Sequence, residues 1–182
     1  MRYLFLSFCL ISGIMNAQEL PDKENDTLIV WTEDRKLTWD DFRPATFDGT
    51  RAATSDIGID ILTVSSSAKG YSHEVFSYFL KLSSSTATDN AHVLKHEQLH
   101  FDIAELYARK IRHKLQQLKG GNYSIKEYHS IIDYFYEQYF EEQQAYDNET
   151  KHSIDSVKQQ EWALRIRNEL TALNHARSSR YQ

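Results

Sequence analysis

From Ala91 onward this chain contains no proline, and apolar residues recur there at three- and four-residue intervals. A proline-free stretch of that length with that spacing predicts a set of long amphipathic helices. The first is expected from Ala91 to about Leu118, stopped by Gly120-Gly121. The second runs from Ser124 to about Thr150, with Ser124 and Glu127 in a capping-box arrangement. The third spans Asp155 to about Ala176, with Trp162, Ile166, Leu170 and Leu173 on one side. The first half has a different period. Leu28–Trp31 reads as a short strand, and Lys36–Pro44 as a turn with buried aromatics. Ala53–Val64 and Glu74–Leu82 alternate and suit a hairpin closed by a turn over Ser65–Gly70. Ser83–Asn90 reads as a polar loop rich in helix caps. The expected class is α+β, with N-terminal antiparallel strands followed by three helices, and Trp31, Trp39 and Trp162 in the core.

The N-terminus is of another kind. Met1-Arg2, a mostly apolar run from Tyr3 to Met15, and Asn16-Ala17-Gln18 have the pattern of a secretory signal peptide over residues 1–17. The run is too short for a stable membrane span. Export to the periplasm or the medium is the expected localisation. Residues 18–35 then form a lead-in and 36–176 a single domain. Cys9, the one cysteine, lies inside the signal. The mature chain therefore has no thiol for catalysis, zinc ligation or a disulfide. Without Arg2 the balance is 20 Lys+Arg against 26 Asp+Glu, a net charge of −6 with His neutral. No basic patch emerges, which argues against nucleic acid as a partner.

His96-Glu97-Gln98-Leu99-His100 fits HExxH. On a helix the two histidines lie one turn apart on the same face and can share one Zn2+, with Glu97 placed to take a proton from bound water. With 8 His and 13 Glu in 182 residues, shuffled chains contain this pattern about 2% of the time, so context must add weight. It does. The apolar stripe of the first helix passes through Val93, His100, Ala104, Tyr107, Ile111 and Leu118, and His96 and Glu97 flank its centre. Ionisable groups on a buried face are costly unless partnered, and a metal supplies the partner.

HEQLH brings two ligands and a base; a third ligand must come from elsewhere. Glu105 falls on the polar side of the same helix near Asp102 and Arg109 and reads as solvated. His92 reads as solvent-facing, with a supporting role behind the ligands as the alternative. The second helix offers Glu141, Glu142, Asp147 and Glu149, with His152 beyond it. Its stripe passes through Ile132, Phe135, Tyr136, Tyr139, Gln143, Tyr146 and Thr150. Asp147 lies about 60° from the centre of that stripe, Glu142 about 80°, Glu149 about 100° and His152 nearly opposite. Spacing favours Asp147, with Glu142, Glu149 and His152 as alternatives should the helix end early. Tyr146, also inward, is read as a core aromatic or as an oxyanion donor beside the metal.

HEQLHFDIAELYARKIRHKL, then QAYDNETKHS and Gln160-Glu161-Trp162, resemble a family of bacterial exported proteins of unknown function, commonly labelled secreted zinc-dependent proteases. Leu37–Phe42 and Ala52–Ser55 fit the same resemblance, which spans roughly residues 37–170. Where a glycine would be expected after the second-motif histidine, this chain has Ser153. The resemblance implies a zincin-like fold, with His96 and His100 as ligands, Glu97 as base, and the remaining site residues within Tyr146–His152. Two functions follow as expectations. One is an exported zinc-dependent hydrolase, a metallopeptidase acting on a peptide or protein. The other is a non-catalytic, zinc-stabilised envelope binding module.

Overall fold

The computed structural model describes residues 20–47, 51–67, 70–118 and 123–181. The signal-peptide reading, Cys9 and the Gly120-Gly121 stop lie outside the described residues.

The architecture is α+β, with two small sheets and three helices. The first sheet holds β1 (Leu28–Val30), β4 (Ile57–Ser67) and β5 (Gly70–Leu80) in the order β1-β5-β4, antiparallel throughout. The hairpin is longer than the alternation suggested. Pairing continues through Ser65↔Ser72 to Ser67↔Gly70, past a register shift between Thr63 and Ser65. Residues 65–67 and 70 are therefore strand rather than turn, because a bulge absorbs the break in alternation. The second sheet joins β2 (Arg43–Pro44), β6 (Ser85–Thr86) and β3 (Ala53–Thr54). The strand expected over Ala53–Val64 is thus two strands in two sheets, and the loop expected over Ser83–Asn90 contains one.

The helices are α1 (Ala91–Gln117), α2 (Ile125–Thr150) and α3 (Ser156–Ala172), the last followed by a 3-10 turn at Asn174–Ala176. Asn90 caps α1 by accepting from the His92 N–H at 2.8 Å. The Ser124/Glu127 capping box opens α2, and Asp155 accepts from the Lys158 N–H at 3.0 Å to open α3.

Helix α1 is the centre of the molecule, packed against β5, α2 and α3. The side facing α2 buries Ile103, Tyr107 and Ile111 with Tyr139, Tyr146 and Ile166. Another side buries Phe101 with Ile29 and Phe79. Glu105 is not solvated; it is 3% exposed. Its carboxylate accepts from Arg109 Nε at 2.9 Å, from Arg112 at 2.9 and 3.2 Å, and from Ser77 Oγ at 3.1 Å. What looked like the polar side of α1 is covered by β5 and the C-terminal segment, and the charges neutralise one another there. Trp31 and Trp162 are buried and Trp39 half-buried. Among the described residues no helix is long and apolar enough to cross a membrane.

Candidate metal centre

Helix α1 presents His96 and His100 one turn apart, and α2 crosses them with Asp147 in its last turn. His96 Nε2, His100 Nε2 and Asp147 Oδ1 converge, each 3.1 Å from the other two. No other set of three such ligands meets among the described residues. Bonds of about 2.0–2.1 Å in a tetrahedron give ligand–ligand edges of about 3.4 Å, so this triangle is close to what a small divalent ion requires.

The chemistry of the three atoms points the same way. His100 Nδ1 lies 2.6 Å from Gln143 Oε1, while the Gln143 amide NH2 donates to the His100 carbonyl at 3.0 Å. That second bond fixes the amide's orientation, so its oxygen faces the ring and Nδ1 must donate. In the neutral ring, Nε2 then carries a lone pair aimed at the cavity. A carboxylate oxygen and two imidazole nitrogens therefore crowd together with at most one proton among them. The C-terminal end of α2 adds the negative end of its dipole. A cation completes the arrangement.

Burial pushes His96 below its ordinary pKa, outweighing the Asp147 hydrogen bond. Its buried Nδ1 has no partner among the described residues, so the ring stays neutral, as a ligand must. Burial acts in the same direction on His100, but the Asp147 bond, the charges of Glu97 and Asp147, and Gln143 hold it above its ordinary value. Burial alone would raise the Asp147 carboxyl; the hydrogen bonds from His100 and His96 hold it well below its ordinary range.

Glu97 is 5% exposed and lines the same groove. Its Oε2 accepts from Ser55 Oγ at 2.5 Å. Ser55 stands where the chain leaves β3 for β4. Asp56 anchors that crossing by donating its N–H to Ser84 Oγ at 2.9 Å and accepting from Ser83 Oγ at 2.6 Å. Opposite, the hydroxyls of Tyr136 and Tyr139 on α2 donate to the carbonyls of Ile59 and Ile57 at 2.6 and 3.2 Å. They tie α2 to the outer edge of β4. The groove between these walls has a volume of about 540 Å³, and Phe47, Phe140 and Ile154 stand exposed along it.

The other candidates sort clearly. Glu142 pairs with Arg165 at 2.6 Å, and Glu149 accepts from Trp162 Nε1 at 2.9 Å; neither reaches the histidines. Tyr146 is fully buried. Its ring stacks on His96 at 4.5 Å and meets His100 edge-on at 4.8 Å. Its hydroxyl donates to the His96 carbonyl at 3.4 Å, so it braces the rings and is not an oxyanion donor.

His152 does enter the site. After Thr150 the chain leaves the helix, and its Nδ1 comes to 3.3 Å from Asp147 Oδ1. The helical projection placed His152 nearly opposite only because it extended α2 past its end. Lys151, His152 and Ser153 all have positive φ, at 52°, 52° and 72°. Each such residue costs about 1 kcal/mol or more without a glycine, and Ser153 is the position where the family resemblance had led us to expect one. His92 does not face solvent; its ring bonds the Ser153 carbonyl through Nε2 at 2.8 Å and holds this turn.

Ser55 and Gln143 were missed by sequence reasoning. Gln143 did carry a signal, as a polar residue on a buried stripe one turn before Asp147.

Residues 82–153 match the model of a family described as a bacterial protein of unknown function (DUF922). The matched stretch contains His96, Glu97, His100, Asp147 and His152 and stops at Ser153. It is compatible with the resemblance read from the sequence and brings no activity with it. No curated protein and no solved structure matches the chain.

Proposed function

We propose that this chain is an exported metal-dependent hydrolase, a zincin-like zinc peptidase, in which His96, His100 and Asp147 hold the ion. The convergence of their three ligand atoms at 3.1 Å carries this reading. A two-imidazole, one-carboxylate set suits zinc among the common divalent ions. When bound, the ion would supply Lewis acidity and lower the pKa of water toward neutrality.

The chain's own residues do the rest. Glu97 accepts the proton of the attacking water on the carboxylate oxygen that Ser55 leaves free, and later gives it to the departing amine. Ser55 holds Glu97 against the groove wall, and Gln143 keeps the His100 lone pair turned inward. Residues 51–55 line the groove as extended backbone next to the edge strand β3, which suits an extended peptide paired by strand addition. Phe47, Phe140 and Ile154 favour apolar side chains in that peptide.

A peptide-library digest with zinc-replete protein tests this. Cleavage is expected, and Glu97→Gln is expected to abolish it at unchanged metal content. Absence of cleavage by the wild type would move the reading to a metal-stabilised envelope binding module. One observation already favours that second reading: His152 stands close enough to Asp147 to close the coordination, as in structural sites.

A further inference from the structure

The left-handed run over Lys151–Ser153 has a geometric consequence for the metal centre. Three consecutive residues other than glycine rarely adopt positive φ. Here they are locked by the His152 N–H donating to the Asp147 carbonyl at 2.9 Å, the Asp155 N–H donating to the Thr150 carbonyl at 2.8 Å, and His92 on the Ser153 carbonyl. The result returns the His152 imidazole to the end of α2. Its Nδ1 lies 3.3 Å from the same Asp147 oxygen that is 3.1 Å from both His96 and His100 Nε2. That spacing is another edge of the same tetrahedron.

Exposure separates His152 from the other ligands. His96 and His100 are 4% and 15% exposed, whereas the His152 side chain is 55% exposed. It stands at the mouth of the groove, on a turn whose relaxation favours its departure. We propose that His152 is a fourth, exchangeable ligand of the metal centre, which closes the coordination at rest and yields its position to substrate. This rests on the metal-centre reading above and adds the regulation of that site. In the exchange the metal–Nδ1 bond breaks and a lone pair from a substrate oxygen takes its place. No electron moves, and His152 leaves as a neutral imidazole.

The test uses the full mature chain with Co2+ or Zn2+, and acetohydroxamate as the displacing probe. His152→Ala and His152→Gly should weaken Zn2+ binding about tenfold or more and alter the visible absorption of the Co2+ form. Acetohydroxamate should bind both variants more tightly than wild type, since nothing is displaced. Without metal, His152→Gly should melt above wild type, because glycine relieves the turn.

Unchanged affinity and absorption would overturn the assignment while leaving the three-ligand site intact. Changed absorption with equal acetohydroxamate affinity would make His152 a permanent ligand and overturn the exchange. Metal retained by Asp147→Ala but lost by His152→Ala would make His152 the third ligand. Absence of metal binding by the wild type would overturn this inference and the proposed function together.

Discussion

A single amide decides which nitrogen of His100 faces the groove. Gln143 reads the ring through Nδ1 and is itself pinned by the His100 carbonyl. Gln143→Leu keeps the volume but removes both bonds, so the ring loses its tautomeric preference and its orientation. Metal affinity is expected to fall about 10- to 100-fold with the fold intact, as read by chelator competition alongside circular dichroism; unchanged affinity would show that His100 is positioned by packing alone. Ser55 acts on Glu97 in a comparable way. Ser55→Ala is expected to slow peptide cleavage about 10- to 100-fold without changing metal content. Equal losses of metal and activity would instead place Ser55 in the support of the ligands. Neither residue belongs to a spacing motif. Gln143 sits on a stripe that reads as core, and Ser55 meets Glu97 across 42 positions of sequence, a proximity that only the packed fold creates.

Among the elements, α1 shows what periodicity can and cannot resolve. Its stripe through His100, Ala104 and Tyr107 was legible because that side meets α2, whose own stripe then selected Asp147 correctly. That selection depended on α2 running unbroken to Thr150. The rest of α1 was misread, because a helix enclosed on several sides has no solvated stripe to contrast with the buried one. Glu105, Arg109 and Arg112 satisfy each other and the carbonyls of Leu170, Val75 and Ala176. Glu105→Ala leaves two guanidiniums buried without their carboxylate. It is expected to cost about 3–5 kcal/mol, measured by urea unfolding; a loss under about 1 kcal/mol would mean water reaches the site. The long hairpin was legible from alternation, while β2, β3 and β6, at two residues each, are too short to show a period.

For the whole molecule, the metal would join α1 to the end of α2 in a chain whose described residues contain no cysteine, so bound ion contributes to stability. At a free concentration about 100 times Kd this linkage amounts to about 2.7 kcal/mol. Acid should remove it in a definite order. In the metal-free protein His100 titrates above its ordinary value of 6.5. A raised folded-state pKa contributes stability that is fully present below 6.5 and lost as pH rises through it. Acidification therefore strengthens the metal-free form while protons compete for the ligands, and the difference between zinc-loaded and chelator-treated melting temperatures should close first. The remaining stability has the opposite dependence. Glu24 is lowered to about 2, chiefly by the Arg35 hydrogen bond and then by Lys81. Asp41 is lowered against burial by Arg35 and Thr38. Depressed carboxylates stabilise the fold above their ordinary range, and that contribution drains away as pH falls from about 4.5 toward 2. Thermal melts from pH 8 to pH 2, with and without chelator, should show two separate losses. A chelator-sensitive difference that survived to pH 4 would mean that protons do not compete for the ligands, and the ion would then have to be held by groups other than His96 and His100.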